Sequence, residues 1–301
     1  MKALWARFCE DRLGKLGLFF ILALIALGLA APWLPLPDPH SAAPAQKLLG
    51  PSSAHWLGTD GLGRDMLSRL IFGIRTTLFT SMAAMAATGL IGALCGGLCA
   101  LGRRTDAVLM RINELFLALP SEVLILAVVG ILGPGLENVV LACVAAKWPW
   151  YARMMRGFVR EAAASDYAAY SQAAGAGFGH MIFRVLLPSA AGPFAVLMTL
   201  DCAGVMLMLS GLSFLGLGVQ PPAAEWGMML AEARDVMTIH PWQMIPAGAL
   251  LALTAAAFGF AGDALRDALD MRSELSRRWT ARTRRALREA AALSRPTGER
   301  P

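Results

Sequence analysis

Apolar residues gather in six blocks in this chain, at about 15–34, 76–101, 108–132, 136–152, 189–215 and 243–265. Each comes near the ~20 residues that a helix needs to cross the hydrocarbon core of a bilayer. Apolar residues make up 56% of the chain and charged residues 16%, against roughly 45–50% and about 25% in soluble domains. The expectation is an all-α fold, a multi-pass transmembrane helical bundle of about six spans.

The net charge of +6 raises the question of a nucleic-acid partner. The charges answer it, because they cluster at block ends and in the tail, the pattern of membrane orientation. With the amino terminus inside, the inner segments collect 21 of the 27 Lys and Arg. The outer segments hold five: Lys47, Arg64, Arg69, Arg75 and Arg234. Both termini are therefore expected in the cytoplasm, with no nucleic acid among the partners. The first block follows Lys2, Arg7, Arg12 and Lys15. Such a run alone could be a cleaved signal peptide, but its length and the later spans favour a retained helix. Residues 1–75 are read as this helix plus an outer segment, 76–270 as the membrane core, and 271–301 as a basic cytoplasmic tail. The tail either meets inner-leaflet lipid or is solvated.

In the outer segment Asp60 is a candidate N-cap, Leu62, Met66 and Leu70 share a helix face, and Asp65 precedes Arg69 by four residues. An amphipathic helix lying on the outer membrane surface fits that pattern. Gly92 and Gly96 have the spacing that lets helix backbones approach closely. In WPWYARMMR, Trp148, Trp150 and Tyr151 suit the headgroup layer, with Arg153 and Arg156 just inside it. Cys95 and Cys99 share a helix face, but neither a second pair nor a nearby His completes a metal site. No nucleophile elbow, HExxH or phosphate-binding GxxxxGK[ST] occurs, so no enzyme activity and no cofactor are expected. Energy for any pumping has to come from a partner.

A polar, alanine-rich island, DYAAYSQAAGAGFGHMIFRVLLP, runs from Asp166 to Pro188 between apolar segments. Asp166 can cap a first short helix and Gly175 can end it in a left-handed conformation. Phe178, Met181, Ile182, Val185 and Leu186 give the second helix an apolar face, and Pro188 opens the next segment. Alone, a first helix of roughly 14 Å would be marginal, so it is expected to dock on something.

With Gly175 and Leu187-Pro188, this island resembles the cytoplasmic coupling loop of binding-protein-dependent ABC importer permeases. The Glu-Ala-Ala of that loop is replaced here by Ala169, Tyr170 and Ser171, and the literal EAA at Glu161–Ala163 falls eight residues too early. The strings HWLGTDGLGRDMLSRLIFGIRTTL, LSGLSFLGLGVQPPAAEWGMML and GDALRDALD also resemble the C-type permease subunit of dipeptide, oligopeptide and nickel importers. The nearest likeness is to nickel permeases, through WPWYARMMR, the altered loop and TLDCAGVMLMLSGLSFLGLG. The resemblance implies a permease of the bacterial inner membrane importing nickel or a metal chelate, or alternatively di- and oligopeptides. It also implies a B-type permease, two cytoplasmic ATPases and an extracytoplasmic binding protein as partners, with Ala169, Tyr170, Ser171, Gly175, Leu187 and Pro188 meeting an ATPase. Asp201 lies midway along its apolar block, where a charge costs about 2.5–3.5 kcal/mol on insertion scales. It is a candidate for the translocation path, where it could attract a cationic substrate; it could equally pair with Lys147 or hydrogen-bond neighbouring helices. Glu114 and Glu122 are read as packing or gate groups.

Overall fold

The computed structural model describes residues 2–269, and within them the fold is helical with no strand. The basic tail after Asp270 lies outside the described residues. The chain begins with α1 (Lys2–Phe8) and α2 (Arg12–Ala30). It then crosses an extended segment to α3 (Met66–Ile74), which runs through a π-helical turn at Arg75–Phe79 into α4 (Thr80–Leu98). Next come α5 (Arg103–Leu117), α6 (Ser121–Leu132) and α7 (Leu136–Ala163), then the short α8 (Asp166–Ala173). A turn at α9 (Phe178–His180) and a π-helical stretch at Met181–Leu186 lead into α10 (Leu187–Phe214). The chain closes with α11 (Trp226–Arg234) and α12 (Met244–Leu269).

Four helical stretches are long and apolar enough to cross a membrane: Arg12–Trp33, Met66–Leu101, Phe178–Phe214 and Pro241–Leu269. A fifth qualifies if α5 and α6 count as one span, although they meet at 75°. The block at 108–132 is thus not one straight helix. Pro120 cannot donate a backbone bond and Ser121 starts a new helix there, which breaks the run. α7 reaches well past the 136–152 block and is long enough to span, but Glu137, Lys147 and the arginines from Arg153 onward dilute its apolar character.

The core is built by close approach of α4 and α7. A Cβ on Gly96 would lie 2.7 Å from Met155 Cβ and 3.0 Å from the Arg156 nitrogen, so only glycine lets the two backbones meet there. Gly92 does the same against Tyr151 and Ala152. A buried polar hub ties the α3–α4 span to α10 and α11. Glu225 caps α11 by accepting from the Met228 N–H at 2.8 Å, and also takes the hydroxyls of Ser210 (2.7 Å) and Thr77 (3.1 Å). Beside it the fully buried Trp226 donates its indole N–H to the Leu70 carbonyl at 3.0 Å.

The outer segment departs from the sequence pattern. The cap of α3 is Asp65, which accepts from the Ser68 N–H at 2.7 Å. Asp60 instead closes the preceding turn, accepting from the N–H groups of Leu62 (2.8 Å) and Arg64 (2.9 Å). Because Asp65 is occupied as a cap and by His55 at 2.9 Å, Arg69 pairs with Asp60 at 3.1 Å and Glu232 at 2.8 Å rather than with Asp65. Arg64 joins them, 2.7 Å from each carboxylate. Nor is α3 a separate surface helix. It continues as one 36-residue helical run into α4, its Met66 and Leu70 buried and Leu62 exposed ahead of it.

Candidate functional site

Two places gather the residues singled out by sequence: the loop after α7, and a cavity where α10 passes α7 and the α5–α6 bend. In the loop, Ser165 rather than Asp166 caps α8, its hydroxyl accepting from the Ala168 N–H at 3.3 Å. A hydroxyl one residue earlier wins the position, leaving Asp166 in the first turn, where its charge suits the helix dipole. Gly175 ends the helix as the pattern predicts, at φ +84°. Its N–H bonds the Gln172 carbonyl at 2.9 Å and the Ala176 N–H bonds the Ser171 carbonyl at 3.0 Å. That pair of bonds is a Schellman closure, which an L-residue with a branched side chain would strain.

Within α8 only Ala168 is buried; Ala169 and Tyr170 are exposed and Ser171 is half-buried. Tyr167, Tyr170, Phe178 and Phe183 are each more than 60% exposed, so four aromatic rings stand out from a short stretch. Of the expected apolar face, Met181, Ile182, Val185 and Leu186 are buried and Phe178 is not. Leu187 and Pro188 do not start a separate element. Helix continues unbroken from Phe178 to Phe214, and the π-helical stretch just before Pro188 bonds the Leu187 N–H to the Ile182 carbonyl. The literal EAA at Glu161–Ala163 belongs to the end of α7.

The cavity, 430 Å³ in volume, is lined among others by Leu117, Pro120, Glu122, Lys147, Trp150 and Asp201. Lys147 donates to Asp201 Oδ2 at 2.9 Å, and the Tyr151 hydroxyl donates to the same oxygen. One turn separates Lys147 from Tyr151, so both reach α10 from one face of α7. Tyr151 is therefore fully buried and does not sit in a headgroup layer. Glu122 reaches this cavity in the first turn of α6, whereas Glu114 is exposed and pairs with Arg111 at 3.0 Å. A half-open cavity bearing one ammonium and two carboxylates at the edge of an apolar bundle can take up a polar or charged solute. Sequence reasoning named Lys147 as one alternative for Asp201 but missed Tyr151. The i, i+4 spacing of Lys147 and Tyr151 was the available signal.

Long apolar helices flanking a charged, half-open cavity, with an exposed helical loop at one end, are the architecture of a membrane-spanning protein. Residues 88–274 match the family described as the binding-protein-dependent transport system inner membrane component, and residues 1–51 match the N-terminal transmembrane domain of oligopeptide transport permease C. The chain belongs to this family of ABC importer permeases, in its nickel and peptide branch. It is 41% identical to the nickel transport system permease protein NikC of Escherichia coli K12, over 83% of this chain and 90% of that one. It is 39% identical to the di/tripeptide transport system permease protein DppC of Pseudomonas aeruginosa, over 90% and 91%. It is 38% identical to the metal-staphylopine import system permease protein CntC of Staphylococcus aureus, over 88% and 92%. Its fold is similar to that of a chain in an inward-facing structure of the MetNI methionine ABC transporter. The TM-score is 0.54 and the identity 20%, over 67% of this chain and 97% of that one.

Proposed function

We propose that this permease carries nickel, or a metal bound to a small chelator, across the inner membrane of a bacterial cell with both of its termini in the cytoplasm. A second, B-type permease would complete the pathway, an extracytoplasmic binding protein would deliver the substrate, and two cytoplasmic ATPases would hydrolyse the ATP. The observation that carries the coupling part is α8, a helix of eight residues with a single buried side chain. Such a helix is too short to be stable unaided and needs a partner surface. Ala169, Tyr170 and Ser171, held by the Gly175 closure, are the residues offered to an ATPase, and Leu187-Pro188 lie within the long helix that leaves the loop. Closure of the ATPases would then rock the helices and open the pathway inward. Asp201 is the candidate path residue for a cationic substrate, and the nickel permease relative supports that choice of cargo.

A peptide cargo is the second reading, favoured by one observation. Lys147 neutralises Asp201 at 2.9 Å, and a pair of both signs suits a zwitterion as well as a cation. Uptake of radiolabelled nickel and of a labelled dipeptide, in a strain deleted for this chain and then complemented, separates the two. Restored nickel uptake is expected. Restored dipeptide uptake alone would transfer the assignment to peptides, and restoration of neither would remove both cargoes.

A further inference from the structure

We infer a binding site for the headgroup of an anionic phospholipid at the loop-side end of the bundle, apart from the translocation cavity. A second cavity, of 320 Å³, opens where α4 ends, α5 begins and the last turns of α7 pass by. Arg103, Arg156 and Arg160 line it, with Asp106 as the one acid among its lining residues. Asp106 orients two of the three arginines. It accepts from Nε and Nη2 of Arg156, the latter at 2.6 Å, and from Nη2 of Arg160 at 2.8 Å. A guanidinium carries five N–H donors, so both keep donors to spare after binding Asp106. Arg103 has no acceptor among the described residues. The lining groups thus sum to two positive charges, with the forks of Arg156 and Arg160 held by Asp106. Phosphate diester oxygens are the chemistry that matches fixed arginine forks.

The surroundings decide between a lipid and a soluble phosphate. Val159 and Leu186 form apolar wall at the cavity itself. Next to its lining residues Cys99, Ala100 and Gly102 in the chain, Leu98 and Leu101 are apolar and exposed. A phosphate seated on the arginines would have its acyl chains running down this apolar skin, an arrangement that a free anion does not use. Basic pockets between helices at a membrane boundary take anionic headgroups on these grounds.

The test uses the full chain purified in a mild detergent and titrated with phosphatidylglycerol, phosphatidylethanolamine or inorganic phosphate, with thermal melting as the readout. Phosphatidylglycerol is expected to raise the melting temperature, and the other two are not. Arg103 and Arg160 are exposed, so the double change Arg103→Gln with Arg160→Gln leaves the Arg156–Asp106 pair and the fold intact. At about fivefold per well-placed basic residue, the double variant should bind phosphatidylglycerol roughly 25-fold more weakly. Arg111→Gln, exposed and outside the cavity, should bind as the wild type does. Equal stabilisation by phosphatidylethanolamine or by inorganic phosphate would overturn the site, as would an equal loss in Arg111→Gln or no loss in the double variant.

Discussion

Replacing Asp201 by Asn removes the charge from the Lys147–Asp201–Tyr151 cluster while keeping its shape. Lys147 and Tyr151 both donate to one oxygen, Oδ2, so an Asn oxygen in that place can still accept from both, and what the change removes is the negative charge that offsets the Lys147 ammonium. Breaking one side of a fully buried ion pair costs about 3–5 kcal/mol. Here the side chains of Lys147 and Asp201 keep 17% and 27% of their exposure and border a 430 Å³ cavity that water can enter. Partial hydration of the stranded ammonium brings the expected loss to about 2 kcal/mol. At 2–4 °C per kcal/mol for a chain of this order of size, melting should fall by roughly 4–8 °C. The assay is thermal melting of the purified chain for Asp201→Asn, Lys147→Met and the double variant. If the pair is compensating, the double variant should recover at least about 1 kcal/mol over the sum of the singles. Strict additivity, or an Asp201→Asn protein that melts with the wild type, would refute the electrostatic account. Transport of labelled nickel by the recovered double variant then asks separately whether Asp201 serves the substrate.

Gly175→Val should cost about 1–2 kcal/mol in the loop through backbone strain alone, since no atom lies within 4 Å of the added Cβ. Uptake and ATPase co-purification should fall while insertion is unchanged, and normal uptake would show that coupling does not need the closure. Single cysteines at Ser52 and Gln172, both exposed, should differ in intact spheroplasts, with an impermeant maleimide labelling position 52 and not 172. Labelling at 172 would invert the proposed topology. Burial raises the Glu232 carboxyl above its ordinary range, outweighing the lowering effect of its bonds to Arg64. The folded protein therefore holds this proton to higher pH than the unfolded chain, and stability falls as pH climbs from the ordinary glutamate range through the raised value. Glu232→Gln should flatten that part of the melting-against-pH curve, and superimposable curves would show that Glu232 does not titrate there.

Four of the six expected spans and the loop closure were legible because each rests on a local rule. Hydropathy located the apolar runs, and a glycine at the end of a short polar helix located a left-handed turn. What stayed hidden depended on competition between roles or on distant partners. Asp65 and Arg69 have ideal helix-pair spacing, yet Asp65 serves as a cap and Arg69 answers to Glu232, 163 residues away. Tyr151 reads as an interfacial aromatic beside Trp148 and Trp150, and only the packing of α7 on α10 turns it to Asp201. The break between α5 and α6 was written in Pro120-Ser121, but a hydropathy window averages across it. The EAA at Glu161 shows the reverse hazard, a familiar string placed in the wrong element.

The unbroken helix from Phe178 to Phe214 makes the loop and the cavity two points on one rod. At 1.5 Å per residue, Phe178 and Asp201 stand roughly 35 Å apart along it. With the π-helical stretch at Met181–Leu186 and the turn at Pro193 held stiff, a tilt of ~10° set at the loop swings the Asp201 end sideways by roughly 6 Å over that length. That is wider than the reach of the Lys147 bond. The ion pair would then be a clasp that holds in one attitude of the rod and is released in the other.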